Sequence, residues 1–90
     1  MSRSVLVTGG AGFIGSHLTE ALLARGVKVT VLDDLSTGSL ANLAVAQSRE
    51  GFRFVEGSVL DQPLVEELVA AHDTVFHLAA AVGVPVPVGP

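Results

Sequence analysis

The apolar and polar positions of the chain follow two alternating periods, which predict four strands and three helices. Short apolar runs that contain β-branched residues are typical of buried parallel strands, and they lie at residues 4–8, 27–32, 52–57 and 73–79. Between these runs, residues recur at helical spacing, at Ile14, Leu18, Ala21 and Leu22, then at Leu40, Leu43, Ala44 and Gln47, and finally at Leu64, Val65, Leu68 and Val69. The chain is therefore predicted to alternate strand and helix from beginning to end.

Capping residues support the predicted helix boundaries. Gly26 follows the first apolar stripe as a C-terminal stop. Ser39 and Asp61 are suitable N-caps, and Pro63 is tolerated in a first helical turn. Strands that are joined by helical crossovers form a parallel sheet with right-handed connections. We therefore expect an α/β fold, a Rossmann-type parallel sheet with strand order 3-2-1-4 and helices on both faces.

The stretch "LVTGGAGFIGSHL" places four glycines between the first strand and the first helix. The first amides of a helix have no partner within the helix and carry the positive end of its dipole, so such a turn can hold a diphosphate. Gly10, Gly12 and Gly15 match the spacing G-x-G-x-x-G, and Gly9 with the last two matches G-x-x-G-x-x-G. A P-loop is disfavoured because Ser16 stands where that motif requires lysine. The alternative is a tight turn without a ligand.

An aspartate, Asp33, ends the second predicted strand eighteen residues beyond Gly15. This distance is close to the ~20 residues expected for the acid that binds an adenosine ribose. A 2′-phosphate there would meet the carboxylates of Asp33 and Asp34, with no lysine or arginine in the loop that follows. Like charges about 4 Å apart repel by about 4 kcal/mol at an effective dielectric constant near 20, so we expect NAD rather than NADP. The alternative role of Asp33 is to cap the loop, and this role is favoured for Asp34.

Composition narrows the remaining classes of function. Ninety residues, 49% of them hydrophobic, form at most one small domain, and charges interrupt every apolar stretch before it reaches membrane-spanning length. The net charge of −4 argues against a nucleic-acid partner. The absence of cysteine excludes disulfides and thiolate metal sites and fits a cytoplasmic location. No metal-ligand spacing is evident, and His17, His72 and His77 are expected to be structural.

Four blocks of sequence, "VLVTGGAGFIGSHL", "VTVLDDLSTG", "FVEGSVLD" and "VFHLAAAVGV", occur in order along the chain. They resemble the amino-terminal part of the extended short-chain dehydrogenase/reductases, the NAD-dependent epimerase/dehydratase group that acts on nucleotide sugars. The last block is similar to UDP-glucuronate decarboxylases and UDP-glucose 4-epimerases. The resemblance implies a partial NAD-binding Rossmann domain over residues 1–81. We expect the Pro/Gly/Val-rich tail over residues 82–90 to be extended or disordered.

The same resemblance implies which residues lie around NAD. They are Gly9, Gly12, Phe13 and Ile14 at the diphosphate, with Gly15 completing the glycine motif; Asp33 at the adenosine ribose, with Leu35, Ser36, Thr37 and Gly38 along its edge; Ser58 and Val59 at the adenine; and Leu78, Ala79 and Ala80 behind the cofactor. The family often has an aspartate at the position of Ser58. Recognition of adenine is therefore expected to rest on the Ser58 hydroxyl and the Val59 backbone.

The chemistry of this family requires groups that the sequence lacks. The family's catalytic acid/base is the tyrosine of a Tyr-x-x-x-Lys motif, whereas the chain has no tyrosine and its one lysine, Lys28, lies in the second predicted strand. The family's sugar-binding carboxyl-terminal region is also missing, and "PVPVGP" departs from the family pattern, as expected for a truncated, frame-shifted or decayed gene. We therefore expect an NAD-binding half that is not catalytic alone and that meets a nucleotide sugar only if the missing region is supplied. An open sheet edge would favour self-association. The alternatives are a stand-alone dinucleotide-binding module and a truncated, non-functional fragment.

Overall fold

The structure is a computed structural model that describes residues 3–36 and 38–79. Strands and helices alternate within this part of the chain, as β1 (Ser4–Thr8), α1 (Phe13–Ala24), β2 (Lys28–Asp33), α2 (Ala44–Gln47), β3 (Phe52–Glu56), α3 (Gln62–Ala70) and β4 (Thr74–His77). A 3₁₀ turn, Leu40–Leu43, leads directly into α2. The strands form one parallel sheet in the order β3-β2-β1-β4, which confirms the predicted fold class and strand order. The predicted tail over residues 82–90 lies outside the described residues.

The sheet carries a hydrophobic core on each face. The larger core packs α1 and α2 against the sheet and contains Val5, Val7, Ala11, Leu23, Val29, Val31, Leu43 and Ala46. The smaller core includes a residue of α3 and contains Leu6, Leu32 and Leu68. Helices therefore cover both faces, as predicted. None of the helices in the described segments is long and apolar enough to cross a membrane.

Local capping fixes the ends of the helical segments where the sequence places them. The Ser39 hydroxyl accepts a hydrogen bond from the amide of Ala41 (3.2 Å), and the Asp61 carboxylate accepts one from the amide of Leu64 (3.3 Å). Gly26 has a φ of +80° just after α1, a left-handed conformation that glycine adopts without a steric penalty. These three caps depend only on residues that are neighbours in sequence, which explains why the sequence predicts the helix ends well.

The buried face of α1 matches the predicted apolar stripe only in part, because Leu18 and Leu22 pack against the larger core but Ile14 and Ala21 do not. Ile14 is 72% exposed and Ala21 is also exposed, while the helix buries Gly15, Ser16, Thr19 and Leu23. The reason is close packing, because small side chains let this helix approach the glycine turn. The hydroxyls of Ser16 and Thr19 donate to carbonyls of their own helix at 2.9 and 2.8 Å, so they are buried without an unpaired donor.

The predicted stripes of the two other helical segments also need correction. Ala46 is buried with Leu43, whereas Ala44 and Gln47 are exposed and Leu40 is 40% exposed. A 3₁₀ turn has three residues per turn, so it aligns residues three apart instead of four. In α3 the prediction holds for Leu68, which is buried, and for Leu64 and Val65, which pack against the smaller core, whereas Val69 is 43% exposed.

Edge strand β4 is the least covered part of the sheet. All four of its residues are exposed. Val75 pairs with Leu6 and Phe76 pairs with Val7, and successive residues of a strand point to opposite faces. Val75 is 37% exposed and Phe76 is 38% exposed, so apolar surface remains open on both faces of this edge.

Candidate dinucleotide-binding site

The loops that follow the four strands meet at the carboxyl edge of the sheet. The Gly9 amide donates to the carbonyl of Leu32 (2.8 Å), and the Gly57 amide donates to the carbonyl of Asp33 (3.2 Å). On the other side of β1, the Leu78 amide donates to the carbonyl of Thr8 (3.0 Å). The chain passes from β1 to β2 and β3 on one side of β1, and the connection from β3 then returns to β4 on the other side, so the strand order reverses beside β1. Such a switch point is where open α/β sheets bind their ligands.

Three glycines shape the turn between β1 and α1, and each has a different structural reason. Gly9 has a φ of +76°, which makes the tight turn. A Cβ on Gly15 would lie 2.4 Å from the Gly9 carbonyl oxygen, so only glycine lets the helix pack this closely. A Cβ on Gly12 would have only the Gly9 oxygen nearby, at 3.4 Å, an ordinary contact distance. Packing among residues 3–36 and 38–79 therefore does not explain the glycine at position 12.

The amino terminus of α1 presents hydrogen-bond donors without acceptors. Gly12 is the N-cap, it provides no side-chain cap, and the first turn contains no acidic residue. Among the described residues, the amides of Phe13, Ile14 and Gly15 donate to no protein acceptor. The positive end of the helix dipole adds to these donors. The donor set and the free space over Gly12 fit a diphosphate.

Asp33 lies beside this glycine turn. Its Oδ2 accepts a hydrogen bond from the amide of Ala11 (2.9 Å), and its Oδ1 accepts one from the amide of Leu35 (2.8 Å). The residue is 8% exposed. Each carboxylate oxygen keeps a further lone pair that can accept a ribose hydroxyl. The bond from Leu35 is the loop-capping role that the sequence left as the alternative for Asp33. The bond from Ala11 joins the end of β2 to the glycine turn, which the spacing argument did not reveal.

The loop after β2 packs over the same turn. A Cβ on Gly38 would lie 2.7 Å from the carbonyl carbon and oxygen of Ala11, so this loop and the glycine turn are in close contact. The Ala11 carbonyl accepts hydrogen bonds from the Ser39 amide (3.1 Å) and from Nδ2 of Asn42 (2.8 Å). The Ala11 residue is thus held at its amide by Asp33 and at its carbonyl by two donors.

The residues predicted along the ribose edge begin this loop. Leu35 has a φ of +63°, an uncommon conformation for a residue with a Cβ, and its side chain packs against the larger core. The Ser36 amide donates to the Asp34 carboxylate (2.9 Å). Hydrogen bonds from Ser36, first from its hydroxyl and then from its amide, lower the pKa of the exposed Asp34 carboxyl. Asp34 therefore has the loop-capping role that the sequence favours. Thr37, also predicted at the ribose edge, lies outside the described residues.

The predicted adenine residues follow β3 at the same edge. The Ser58 hydroxyl oxygen accepts a hydrogen bond from the amide of Leu60 (3.0 Å), which leaves its proton available to donate elsewhere. The Val59 side chain packs against the smaller core. The adjoining Gly57 binds the Asp33 carbonyl, so Ser58 and Val59 stay on the side of the site where the adenosine is expected.

Residues after β4 form the opposite side of the site. A Cβ on Gly9 would lie 2.7 Å from the Ala79 amide nitrogen, so Ala79 abuts the glycine turn. Oγ1 of Thr8 lies 2.8 Å from Nδ1 of His77 and accepts a weaker hydrogen bond from the Ala79 amide (3.4 Å). Thr8 and His77 thereby connect the ends of β1 and β4. Ala80 lies outside the described residues.

The side chains of Phe13 and Ile14 are 74% and 72% exposed. The Phe13 ring contacts the His17 ring edge-on, with centroids 4.5 Å apart. The free backbone amides of these two residues, rather than their exposed side chains, are therefore the groups that could hold a diphosphate.

His72 and His77 connect elements of the fold, whereas the exposed His17 contacts the Phe13 ring at the surface. His72 contacts the Leu68 carbonyl through Nδ1 and the Thr30 hydroxyl through Nε2, which ties the end of α3 to β2. The described segments contain no cluster of His, Asp or Glu that could hold a metal ion.

The sequence had not identified Asn42, Ala11 or Thr8 as parts of the site. One weak sequence signal could have indicated a special role for Asn42. Asparagine is a poor helix former, yet it stands three residues after the N-cap Ser39 in a helical segment.

Comparison with known proteins gives a consistent result. The chain is 47% identical over 83 residues to the dTDP-glucose 4,6-dehydratase of Streptomyces niveus, an alignment that covers 84% of this chain and 25% of the dehydratase. It is 44% identical over 84 residues to the UDP-N-acetyl-alpha-D-glucosaminuronate decarboxylase of Bacillus cytotoxicus, covering 93% of this chain and 26% of the decarboxylase. The chain thus spans about a quarter of the length of these relatives.

A solved structure shares the fold closely. The Bordetella bronchiseptica enzyme WbmH, solved in complex with NAD+, superposes with a TM-score of 0.82 at 39% identity, over 92% of this chain and 27% of that enzyme. A model of the NAD dependent epimerase/dehydratase family matches residues 5–88. The match covers nearly the whole chain, and the chain belongs to the NAD dependent epimerase/dehydratase family.

Proposed function

We propose that this chain binds NAD(H) at the carboxyl edge of its sheet, as the amino-terminal cofactor-binding part of a nucleotide-sugar oxidoreductase. The observation that carries the proposal is the uncapped amino terminus of α1, where a Cβ on Gly12 would meet, among the described residues, only the Gly9 oxygen at 3.4 Å. The diphosphate would accept hydrogen bonds from the amides of Phe13 and Ile14. NAD supplies the hydride chemistry of such enzymes, and the residues described here bind and orient it.

The adenosine half of the cofactor would lie across β2. The ribose hydroxyls would donate to the Asp33 carboxylate, next to the loop of Leu35, Ser36, Thr37 and Gly38. The adenine would lie near Ser58 and Val59, with Leu78, Ala79 and Ala80 behind the cofactor. The carboxylates of Asp33 and Asp34 would repel a 2′-phosphate, so the proposal specifies NAD rather than NADP.

Calorimetric titration of the ninety-residue chain with NAD tests this function. We expect one binding site per chain and a thermal midpoint that rises with NAD concentration, because a ligand at a hundred times its Kd stabilises a fold by about 2.7 kcal/mol. NADP is the matched control and should bind at least about tenfold more weakly. Absence of both binding heat and thermal shift would exclude the proposal and leave the alternative of a non-functional fragment.

We also propose that these ninety residues do not catalyse the family reaction alone. Proton transfer needs a positioned acid or base, and the sequence has no tyrosine to provide the family's catalytic group. The residues that would bind a nucleotide sugar would come from sequence corresponding to the other three-quarters of the relatives. Formation of NADH from NAD and a nucleotide sugar by the purified chain would contradict this. We place the chain in the cytoplasm, with which its cysteine-free sequence is compatible.

We further propose that copies of this chain associate through β4. An edge strand exposes unpaired backbone groups, and pairing with the same strand of a second copy satisfies them. The apolar side chains of Val75 and Phe76, open on opposite faces, would add buried area to this contact. A twofold axis beside β4 would join the two sheets into one.

Replacing Val75 by lysine should prevent this association, because a charge on an edge strand opposes pairing. Sedimentation velocity should show a coefficient that rises with concentration for the original chain and a constant one for Val75→Lys. Val45→Lys is the control, since Val45 is 52% exposed on α2, away from the edge strand. An original chain that sediments as a monomer at every concentration would refute the contact.

A further inference from the structure

The Ala11 peptide is the most restrained part of the glycine turn. Its carbonyl oxygen accepts hydrogen bonds from Nδ2 of Asn42 (2.8 Å) and from the Ser39 amide (3.1 Å). The Ala11 amide donates to the Asp33 carboxylate (2.9 Å), and Ala11 itself has no exposed surface. One buried residue is therefore fixed by donors and acceptors that lie 22 to 31 positions away in sequence.

The orientation of this peptide determines where the helix amides point. The carbonyl of Ala11 is bonded covalently to the nitrogen of Gly12, which is the N-cap of α1. Rotation of the Ala11–Gly12 peptide plane would therefore move the N-cap and the free amides that follow it. Asn42 is the only side-chain donor to this carbonyl among the described residues.

We propose that Asn42 is a positioning residue for the dinucleotide site, which holds the Ala11 carbonyl so that the start of α1 faces the diphosphate. The inference rests on the proposed function. Asn42 belongs to the 3₁₀ turn and lies outside the glycine motif. Its hydrogen bond holds the 3₁₀ turn against the glycine turn, beside the contact that Gly38 of the preceding loop makes with Ala11. Its side chain would order the diphosphate and ribose parts of the site together without touching the ligand.

Asn42→Ala should weaken NAD binding by about three- to tenfold, because binding must then supply the free energy, up to that of one hydrogen bond, that orients the Ala11–Gly12 peptide. Loss of this hydrogen bond should also lower the thermal midpoint by about 4–8 °C, so affinities are compared well below the midpoint. Asn42→Asp should weaken binding further, because a carboxylate would face the Ala11 carbonyl oxygen. Gln47→Ala removes a similar amide from the exposed surface of α2 and should leave NAD affinity unchanged.

Two readouts separate positioning from a general loss of stability. The affinity for ADP should fall by a larger factor than the affinity for adenosine, since the diphosphate contacts depend most on the Ala11–Gly12 peptide. Without ligand, the Gly12 amide, which belongs to the same peptide unit and donates to the Gly9 carbonyl, should exchange its hydrogen about three- to tenfold faster in Asn42→Ala, as measured by NMR. If the original chain binds NAD and both Asn42 variants bind it equally well, the inference is wrong while the proposed function stands. Equal losses for adenosine and ADP would also overturn it, whereas an original chain that binds no NAD refutes the proposed function itself.

Discussion

Replacing Gly12 by serine should lower the affinity for NAD by roughly a hundredfold, while the thermal midpoint stays within a few degrees of the original. Gly12 has φ −75° and ψ 173°, an extended conformation that serine adopts readily. A serine Cβ would meet only the Gly9 oxygen, at 3.4 Å, so the fold has room for it. Serine is also a favoured N-cap, and its hydroxyl would accept hydrogen bonds from the helix amides that a diphosphate needs.

The expected loss follows from the strength of the contacts that serine would replace. Hydrogen bonds to a charged group contribute about 1.5–3 kcal/mol each, and losing about 3 kcal/mol weakens binding roughly a hundredfold. Calorimetric titration with NAD and thermal unfolding of the same sample measure both effects. A Gly12→Ser chain that binds NAD as tightly as the original would show that the diphosphate lies elsewhere.

Gly15→Ala provides the matched contrast within the same motif. Its Cβ would lie 2.4 Å from the Gly9 oxygen and 2.7 Å from the Gly10 Cα, and both of these are backbone atoms with little freedom to move. Overpacking of this kind destabilises a fold by about 1–3 kcal/mol, and each kcal/mol lowers the midpoint of a small domain by about 4–8 °C. Gly15→Ala should therefore unfold at a clearly lower temperature than Gly12→Ser. Equal midpoints would contradict the separate roles of the two glycines.

The sequence predicts the framework of this molecule well because the framework depends on local signals. Short β-branched runs and capping residues such as Ser39 and Asp61 are recognisable from neighbouring positions, and alternation of strand and helix then restricts the topology. The position of Asp33 is also predictable from the sequence, because the residue ends a strand whose length and direction follow from the apolar run. The register of β2 beside β1 places that carboxylate at the glycine turn.

The faces of the helices were harder to predict, because hydropathy does not report how closely two elements pack. Ser16 and Thr19 are polar in sequence, yet both are buried in α1 because their hydroxyls bond within the helix. Ile14 is apolar and remains exposed in the first turn. The contact of Asn42 with Ala11 joins residues 31 positions apart. No periodic pattern encodes such a contact, and only the folded chain reveals it.

Asp33→Asn should both destabilise the fold and weaken NAD binding, because the carboxylate serves two sets of donors. In the structure its two oxygens accept from the amides of Ala11 and Leu35. Asparagine has one side-chain oxygen, so one of these amides would face an NH₂ group in a nearly buried site. An unsatisfied buried group costs about 1–3 kcal/mol, which corresponds to a fall of roughly 4–24 °C in the thermal midpoint. Asp34→Asn is the control, because Asp34 is exposed and bonds only within its loop; its midpoint and NAD affinity should change little.

A comparison of ligands isolates the ribose contact from this loss of stability. The original chain should bind ADP about tenfold more tightly than 2′-deoxy-ADP, since a hydrogen bond to a charged group contributes about 1.5–3 kcal/mol. In Asp33→Asn, measured well below its unfolding temperature, the two ligands should bind with nearly equal affinity, because the charged acceptor for the 2′-hydroxyl is gone. A preference that persists at full strength in Asp33→Asn would assign the 2′-hydroxyl to another acceptor and leave Asp33 with the structural role alone.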